Sequence, residues 1–346
     1  AGMPALALTD HSTLAGAVRF YQAARKAGIK PILGVEFEVE PIGGHPLHFP
    51  RTELASSEPR GRSLQPEAAR LLLLAADNQG YSNLCRLVTC AHLGEARSAG
   101  PFSEAYSQVD RRHPLLRQEH LRRYASHLIG LSSGPRGEVE HALRRGQREQ
   151  AIAAARYYAE LLGPENFYLE LQHHRLAPEQ RASRYRLRAL AEELGLPVVA
   201  TNDVHYLTPE YAPLQDALYC LGQGLSLEDR RPERKPNAEY YLKSEAQMRQ
   251  LFADLPEALA ATGEIAERCY WELNLGAIHL PRFDCASAPG FRGDPDSAAD
   301  RAGFLRSLCE AALPRRYPPP QQASARQQME HELEILNHHG LADYFL

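Results

Sequence analysis

Two short apolar stretches each end in an aspartate and a histidine: Ala5-Leu-Ala-Leu-Thr-Asp10-His11 near the start, and Pro197-Val-Val-Ala-Thr-Asn-Asp203-Val-His205 far along the chain. Carboxylates and imidazoles converging from separate segments can hold divalent ions that acidify a bound water and clamp a phosphoryl group. Glu36, in the run Ile32-Leu-Gly-Val-Glu36-Phe-Glu38-Val, is a third acidic group on a strand-like segment, and His173 and His174 follow another, Phe167-Tyr-Leu-Glu-Leu. Mixed His, Asp and Glu ligation suits Zn²⁺, Mn²⁺ or Fe better than Mg²⁺ alone, because imidazole prefers borderline metals. Each residue taken singly has an ordinary explanation. Asp10 could cap a helix, Glu36 could lie on a solvated strand face, and His173-His174 could be a polar loop. Joint placement at strand ends makes Asp10, His11, Glu36, Asp203 and His205 a candidate site. Phosphoester hydrolysis is the reaction that these residues alone imply.

Elements of a particular kind must bring these residues together. Apolar bursts of strand length alternate with amphipathic stretches, the pattern of a parallel sheet with crossover helices. The strands expected are Ala5-Leu-Ala-Leu-Thr, Ile32 onward, Leu71-Leu-Leu-Leu-Ala, Leu128-Ile-Gly-Leu-Ser, Phe167-Tyr-Leu-Glu-Leu and Pro197-Val-Val-Ala-Thr, with a first helix from about Leu14 to Ala27 closed by Gly28. In such α/β folds, barrel-like or doubly wound, residues past the carboxyl ends of the strands converge on one face. A surface excursion is expected at 41–66. Prolines across 281–325, among them Pro281, Pro289, Pro295 and Pro318-Pro-Pro320, oppose regular structure and suggest a linker. A further helix is expected from Arg326 to His339, ending at Gly340. A strand at the opening and an apolar run at the close suggest a fragment truncated at both ends.

Composition narrows the class. With 346 residues, 44% hydrophobic, the chain can bury a substantial core and suggests about two domains. No apolar run reaches membrane-spanning length and no basic leader opens the chain, so a cytoplasmic setting is expected. Six cysteines without a Cys-x-x-Cys pair suggest reduced core thiols. Basic residues are nearly all arginine, the lysines being Lys26, Lys30, Lys235 and Lys243, and a net charge of −4 gives no argument for a polyanion partner.

Thr9-Asp-His11, Gly28-Ile-Lys-Pro-Ile-Leu-Gly34-Val-Glu36 and Ala200-Thr-Asn-Asp-Val-His-Tyr206 resemble motifs of the PHP (polymerase and histidinol phosphatase) domain. More narrowly, they resemble the PHP domain at the start of bacterial C-family DNA polymerases, the DNA polymerase III alpha subunits. Further similar strings are Leu71 to Leu84, Tyr168-Leu-Glu-Leu-Gln172, Tyr240-Tyr-Leu-Lys-Ser244 and Leu255-Pro-Glu-Ala-Leu259 leading to Ile265-Ala-Glu-Arg-Cys269. Asn83 to Leu93 is similar to the error-prone branch. Glu330 to Leu336 and Gly340 to Leu346 are similar to the entry into a polymerase palm, which a free-standing PHP phosphatase ending near residue 275 would not need.

The resemblance implies an α/β chain with a distorted (βα)7 PHP barrel at 1–275, its first strand preceding residue 1, then a Pro-rich linker at 276–325 and the start of a polymerase core at 326–346. It implies metal ligands at His11, Glu36, Asp203 and His205, with Asp10 behind them and His174 on the rim. It places the polymerase carboxylates beyond Leu346, so no polymerase catalytic residue is expected here. Two positions depart from the family pattern: Arg70 stands where a histidine often opens the strand, and Gly134 where a cysteine is expected. The family's His-x-His pair would precede residue 1. The implied function is part of a DNA-directed DNA polymerase, in replication or error-prone translesion synthesis. Its 3′–5′ exonuclease site would be partly degraded, using Zn²⁺, Mn²⁺ or Fe if retained, with Mg²⁺ in the polymerase domain. Partners would be DNA, dNTPs and a sliding clamp or other replication subunits, with no membrane. The alternatives are a stand-alone PHP phosphatase and a metal-free scaffold.

Overall fold

Val35, Phe37 and Val39 are fully buried and alternate with Gly34, Glu36 and Glu38, so strand β2 (Lys30–Val39) has one apolar face and one that carries acids. The structure, a computed structural model, describes residues 2–42, 68–94, 114–175, 178–228, 235–277 and 280–346. The excursion expected at 41–66 lies almost wholly outside them. Strand β1 (Ala5–Leu8) runs parallel to β2, whereas β3 (Ala69–Ala75) is antiparallel both to β2 and to β4 (Leu128–Leu131). Strands β5 (Phe167–Gln172) and β6 (Val198–Thr201) then follow β4 in parallel, giving one sheet in the order β1-β2-β3-β4-β5-β6.

The sheet is therefore mixed, which corrects the all-parallel expectation. The run Leu71-Leu-Leu-Leu packs on both faces, and an apolar run of this kind carries no periodicity from which direction could be read. The reversal has a consequence for the site. The first residues of β3, Arg70 among them, come to the same end of the sheet as the last residues of β2, with Arg70 paired opposite Glu38.

On one face of the sheet, Phe37, Leu71, Leu73 and Phe167 pack with Leu84 and Leu87 of α2 (Asn78–Leu93), Leu121 of α3 (Gln118–Tyr124) and Val139 of α4 (Glu138–Arg144). Helices α5 (Arg148–Leu162) and α6 (Pro178–Leu194) extend this layer through Ala155 and Leu187. On the other face Ile32, Leu74, Ile129, Tyr168 and Val199 are closed over by Ala261 and Ile265, one helical turn apart on α9 (Pro256–Arg268). Burial of each such Leu, Ile or Phe stabilises the fold by roughly 1.5–3 kcal/mol. Helix α1 (Ala17–Lys26) buries Ala17, Tyr21 and Ala24 at helical spacing, beside Leu33 and Trp271. Helices α7 (Ala212–Gln223) and α8 (Glu245–Leu251) complete the described helices of this part. The exposed face of α7 carries Leu214, Leu218 and Leu221.

The chain forms two compact units, Ala1–Leu273 and Asn274–Leu346. In the second, α10 (Ala298–Arg316), α11 (Pro319–His338) and α12 (Ala342–Phe345) meet around Leu305, Leu333 and Ala342, with Arg301 and Asp343 paired at 2.8 Å. Much of the stretch expected to be irregular linker is thus helical. Pro319 and Pro320 fall where a helix accepts proline, in the first turn of α11, whose amides need no intrahelical partner, whereas Pro314 lies inside α10, near its end, and gives up one helical hydrogen bond there. Ser297 caps α10 by accepting the Asp300 amide at 3.2 Å.

Candidate functional site

Beyond Leu8 the chain continues alongside β2. The Asp10 carbonyl accepts the Glu36 amide at 3.2 Å, and the Glu36 carbonyl accepts the Ser12 amide at 3.0 Å, which sets His11 beside Glu36. Ser12 then turns away with φ +50°, its carbonyl held by His92 Nε2 of α2 at 2.8 Å. Here His11 Nδ1 lies 2.7 Å from Glu36 Oε2. Arg70 brings a guanidinium nitrogen within 3.0 Å of the same oxygen. Glu36 stands inside β2, not past its end as expected: β2 is long and β1 short, so the residues after β1 align with the body of β2. Burial would raise the Glu36 pKa, but the His11 hydrogen bond and the Arg70 charge outweigh it and hold the carboxyl below its ordinary value.

The second half of the site follows β6. Asn202 donates its side-chain amide to the carbonyls of Glu239 (2.9 Å) and Tyr241 (2.8 Å), the His205 amide donates to the Tyr240 carbonyl at 2.8 Å, and the Leu242 amide to the Tyr206 carbonyl at 3.0 Å. These bonds stitch the segment around Glu239 to Leu242 onto the residues after β6. Asp203 takes φ +42°, a left-handed backbone that Asp tolerates better than most residues. Its carboxylate is gripped from both sides, Oδ1 by His205 Nε2 at 3.0 Å and Oδ2 by Lys235 Nζ at 2.5 Å. The ammonium also sits 4.4 Å from the Tyr240 ring centroid. Burial opposes ionisation of Asp203, yet the His205 hydrogen bond and the Lys235 charge bring its pKa far below the usual carboxylate range. The two halves are adjacent, with the His11 and His205 rings 6.2 Å apart.

The remaining expected positions behave differently. Asp10 is exposed and joins the site through its backbone carbonyl. His174 is buried, donates from Nε2 to the Asn202 carbonyl at 3.1 Å and stacks on Tyr240 at 4.0 Å; burial takes its pKa down to about 4, so it is neutral and braces the Asp203 turn. Gly134 has φ +53°, and a β-carbon there would meet the Gln172 amide group at 2.7–2.9 Å, so Gln172 fills the space that a cysteine side chain would need. Gln172 donates at 3.0 Å to Glu170, a buried acid on β5 that also accepts from Thr201. Burial pushes Glu170 up to about 7 despite those bonds. Glu170 and Lys235 are the site residues that sequence reasoning missed. Glu170 was hidden inside an apolar strand, and Lys235 lies in a Pro-rich stretch with no motif of its own.

A catalytic metal needs several donors aimed at one point. Among the described residues, no group of three or more His, Cys, Asp or Glu side chains is disposed to hold one. Glu36 and Asp203, the carboxylates such a centre would use, are each already met by a cationic side chain, Arg70 and Lys235. The residues present do not fit a metal centre.

The sequence profile of the PHP domain matches residues 1–174. The chain belongs to the PHP domain family. Over its whole length this PHP chain is also similar to bacterial polymerases. The error-prone DNA polymerase of Symbiobacterium thermophilum is 39% identical over 348 residues, covering 100% of this chain and 28% of that protein. The DNA polymerase III subunit alpha of Vibrio cholerae is 34% identical over 355 residues and that of Escherichia coli K12 33% over 349, each covering 100% of this chain and 27% of the relative. The PHP chain thus spans little more than a quarter of the length of these relatives.

Proposed function

We propose that this chain is the opening portion of a bacterial C-family DNA polymerase of the DNA polymerase III alpha type, its residues 1–275 a PHP domain without phosphoesterase turnover and its residues 326–346 the approach to the polymerase core. One observation carries the reading: similarity to polymerases extends through all 346 residues, including the helical unit after Leu273, for which a free-standing phosphatase would have no use. The higher identity to an error-prone polymerase, 39% against 33–34% for the alpha subunits cited, favours the translesion branch. DNA and dNTPs would be bound by the full-length protein in the cytoplasm, with Mg²⁺ at polymerase carboxylates beyond Leu346. A sliding clamp is a further partner this reading implies.

The test is primer extension by the full-length protein with dNTPs and Mg²⁺, run beside removal of a mismatched 3′ end in Mn²⁺ or Zn²⁺. Extension with little or no excision is expected. Excision abolished by Asp203→Asn would show a working exonuclease and overturn the inactive-site half of the proposal. Absence of extension together with Mn²⁺-dependent hydrolysis of a small phosphomonoester would favour the stand-alone phosphatase.

A further inference from the structure

We propose that Arg70 and Lys235 are the resident cations of this site, taking over in charge the places of divalent metals, so that Glu36 and Asp203 are neutralised and positioned by the chain itself. The inference rests on the PHP reading and deepens it, since it names what replaced the metal chemistry.

Four observations carry it. First, each cation meets one carboxylate oxygen directly, Arg70 on Glu36 Oε2 at 3.0 Å and Lys235 on Asp203 Oδ2 at 2.5 Å. Second, the pairs are sheltered: the side chains of Arg70 and Glu36 are 16% and 14% exposed, and those of Lys235 and Asp203 are both 28% exposed, so screening by solvent is weaker than for a surface pair. Third, neither cation arrives by chance. The antiparallel register of β3 sets Arg70 diagonal to Glu36, while Lys235 precedes a segment pinned by the Asn202, His205 and Leu242 hydrogen bonds and rests on the Tyr240 ring. Fourth, each half already holds opposite charges: Glu36 meets Arg70 and Asp203 meets Lys235, so a divalent ion added to either half would lie against a positive side chain. The histidines complete the arrangement as hydrogen-bond partners on the same carboxylates.

The experiment uses the full-length protein, expressed with zinc and manganese in the medium, gel-filtered, and assayed for bound metal and for melting with EDTA, with Zn²⁺ or with Mn²⁺. Wild type is expected to carry well under one equivalent of metal and to melt at the same temperature, within about 1 °C, in all three conditions. Arg70→Met and Lys235→Met are each expected to lower Tm by about 5–10 °C, as the loss of one partner from a sheltered pair should. The charge-conserving Arg70→Lys and Lys235→Arg should recover at least half of that. Should Arg70→Met fail to fold, Lys235→Met against Lys235→Arg decides alone. One or more equivalents of bound metal with a Tm that falls in EDTA would overturn the proposal, as would methionine variants that melt with wild type. Primer extension does not enter this readout, so loss of the polymerase assignment and loss of the cation assignment are separately visible.

Discussion

Glu36 takes a histidine and a guanidinium on a single oxygen, and Asp203 divides a histidine and an ammonium between its two. A different carboxyl, away from this site, shows what happens when burial is not answered by charge. Glu138 accepts the Ile42 amide at 3.0 Å and the Tyr158 hydroxyl at 3.2 Å, with no cation beside it in those contacts, and burial pushes its pKa up to about 7 from an ordinary 4.5. The folded protein therefore binds a proton there that the unfolded chain has lost across that interval, and stability contributed by the neutral form falls as pH rises from 4.5 to 7. Glu138→Gln keeps an acceptor and removes the titration. The variant is expected to be more stable than wild type at pH 8 by about 1–3 kcal/mol, with the difference shrinking towards pH 4; parallel Tm curves across that range would refute it. At this scale the sequence was informative where a residue belongs to a local string. His11, Glu36, Asp203 and His205 do meet in two adjacent pairs. Lys235 was not legible, because its partner is 32 positions away and the bonds that hold the two segments together run from the Asn202 side chain to backbone carbonyls, which no residue type records.

At the scale of elements, β3 shows what hydrophobic pattern leaves open. Its position was evident from Leu71-Leu-Leu-Leu-Ala, though the strand begins two residues earlier, at Ala69; its direction depends on which neighbours it pairs with, and only that direction places Arg70 near Glu36. Helix starts follow more local rules. Asp77 caps α2 by accepting the Gly80 amide at 2.9 Å, and its other oxygen lies 2.6 Å from His127 Nδ1, which ties the helix to the residue before β4. Asp77→Ala is expected to cost about 1–2 kcal/mol in chemical denaturation, and Asp77→Asn, which retains a capping oxygen, under half of that. Equal losses for the two would mean that the His127 contact, not the cap, supplies the stabilisation. The helix expected from Arg326 to His339 is present as α11, but its first turns from Pro319 and the whole of α10 were missed: a proline count opposes helix, whereas proline at a first turn, as at Pro319 and Pro320, permits it.

At the scale of the whole molecule, the class of fold was legible and the state of its site was only half so. Alternating strand and helix signals recover the α/β unit, and the departures at Arg70 and Gly134 already mark a site unlike a complete metal centre. What replaced the missing ligands required coordinates: Gln172 in the space beside Gly134, and a lysine on Asp203. Helix α7 has practical weight for anyone handling the protein. Leu214, Leu218 and Leu221 are 52%, 54% and 77% exposed, and no Lys or Arg occurs from Val204 to Glu228 to interrupt that surface. Salting-out agents strengthen contact between such surfaces. The chain should therefore precipitate early in an ammonium sulfate series and bind firmly to phenyl resin. Leu221→Glu should shift both properties, raising the salt needed for precipitation and speeding elution, while folding stability stays within about 0.5 kcal/mol of wild type. The concentration at which this protein can be stored is set, on this view, by three leucines on one helix and not by the strength of its core.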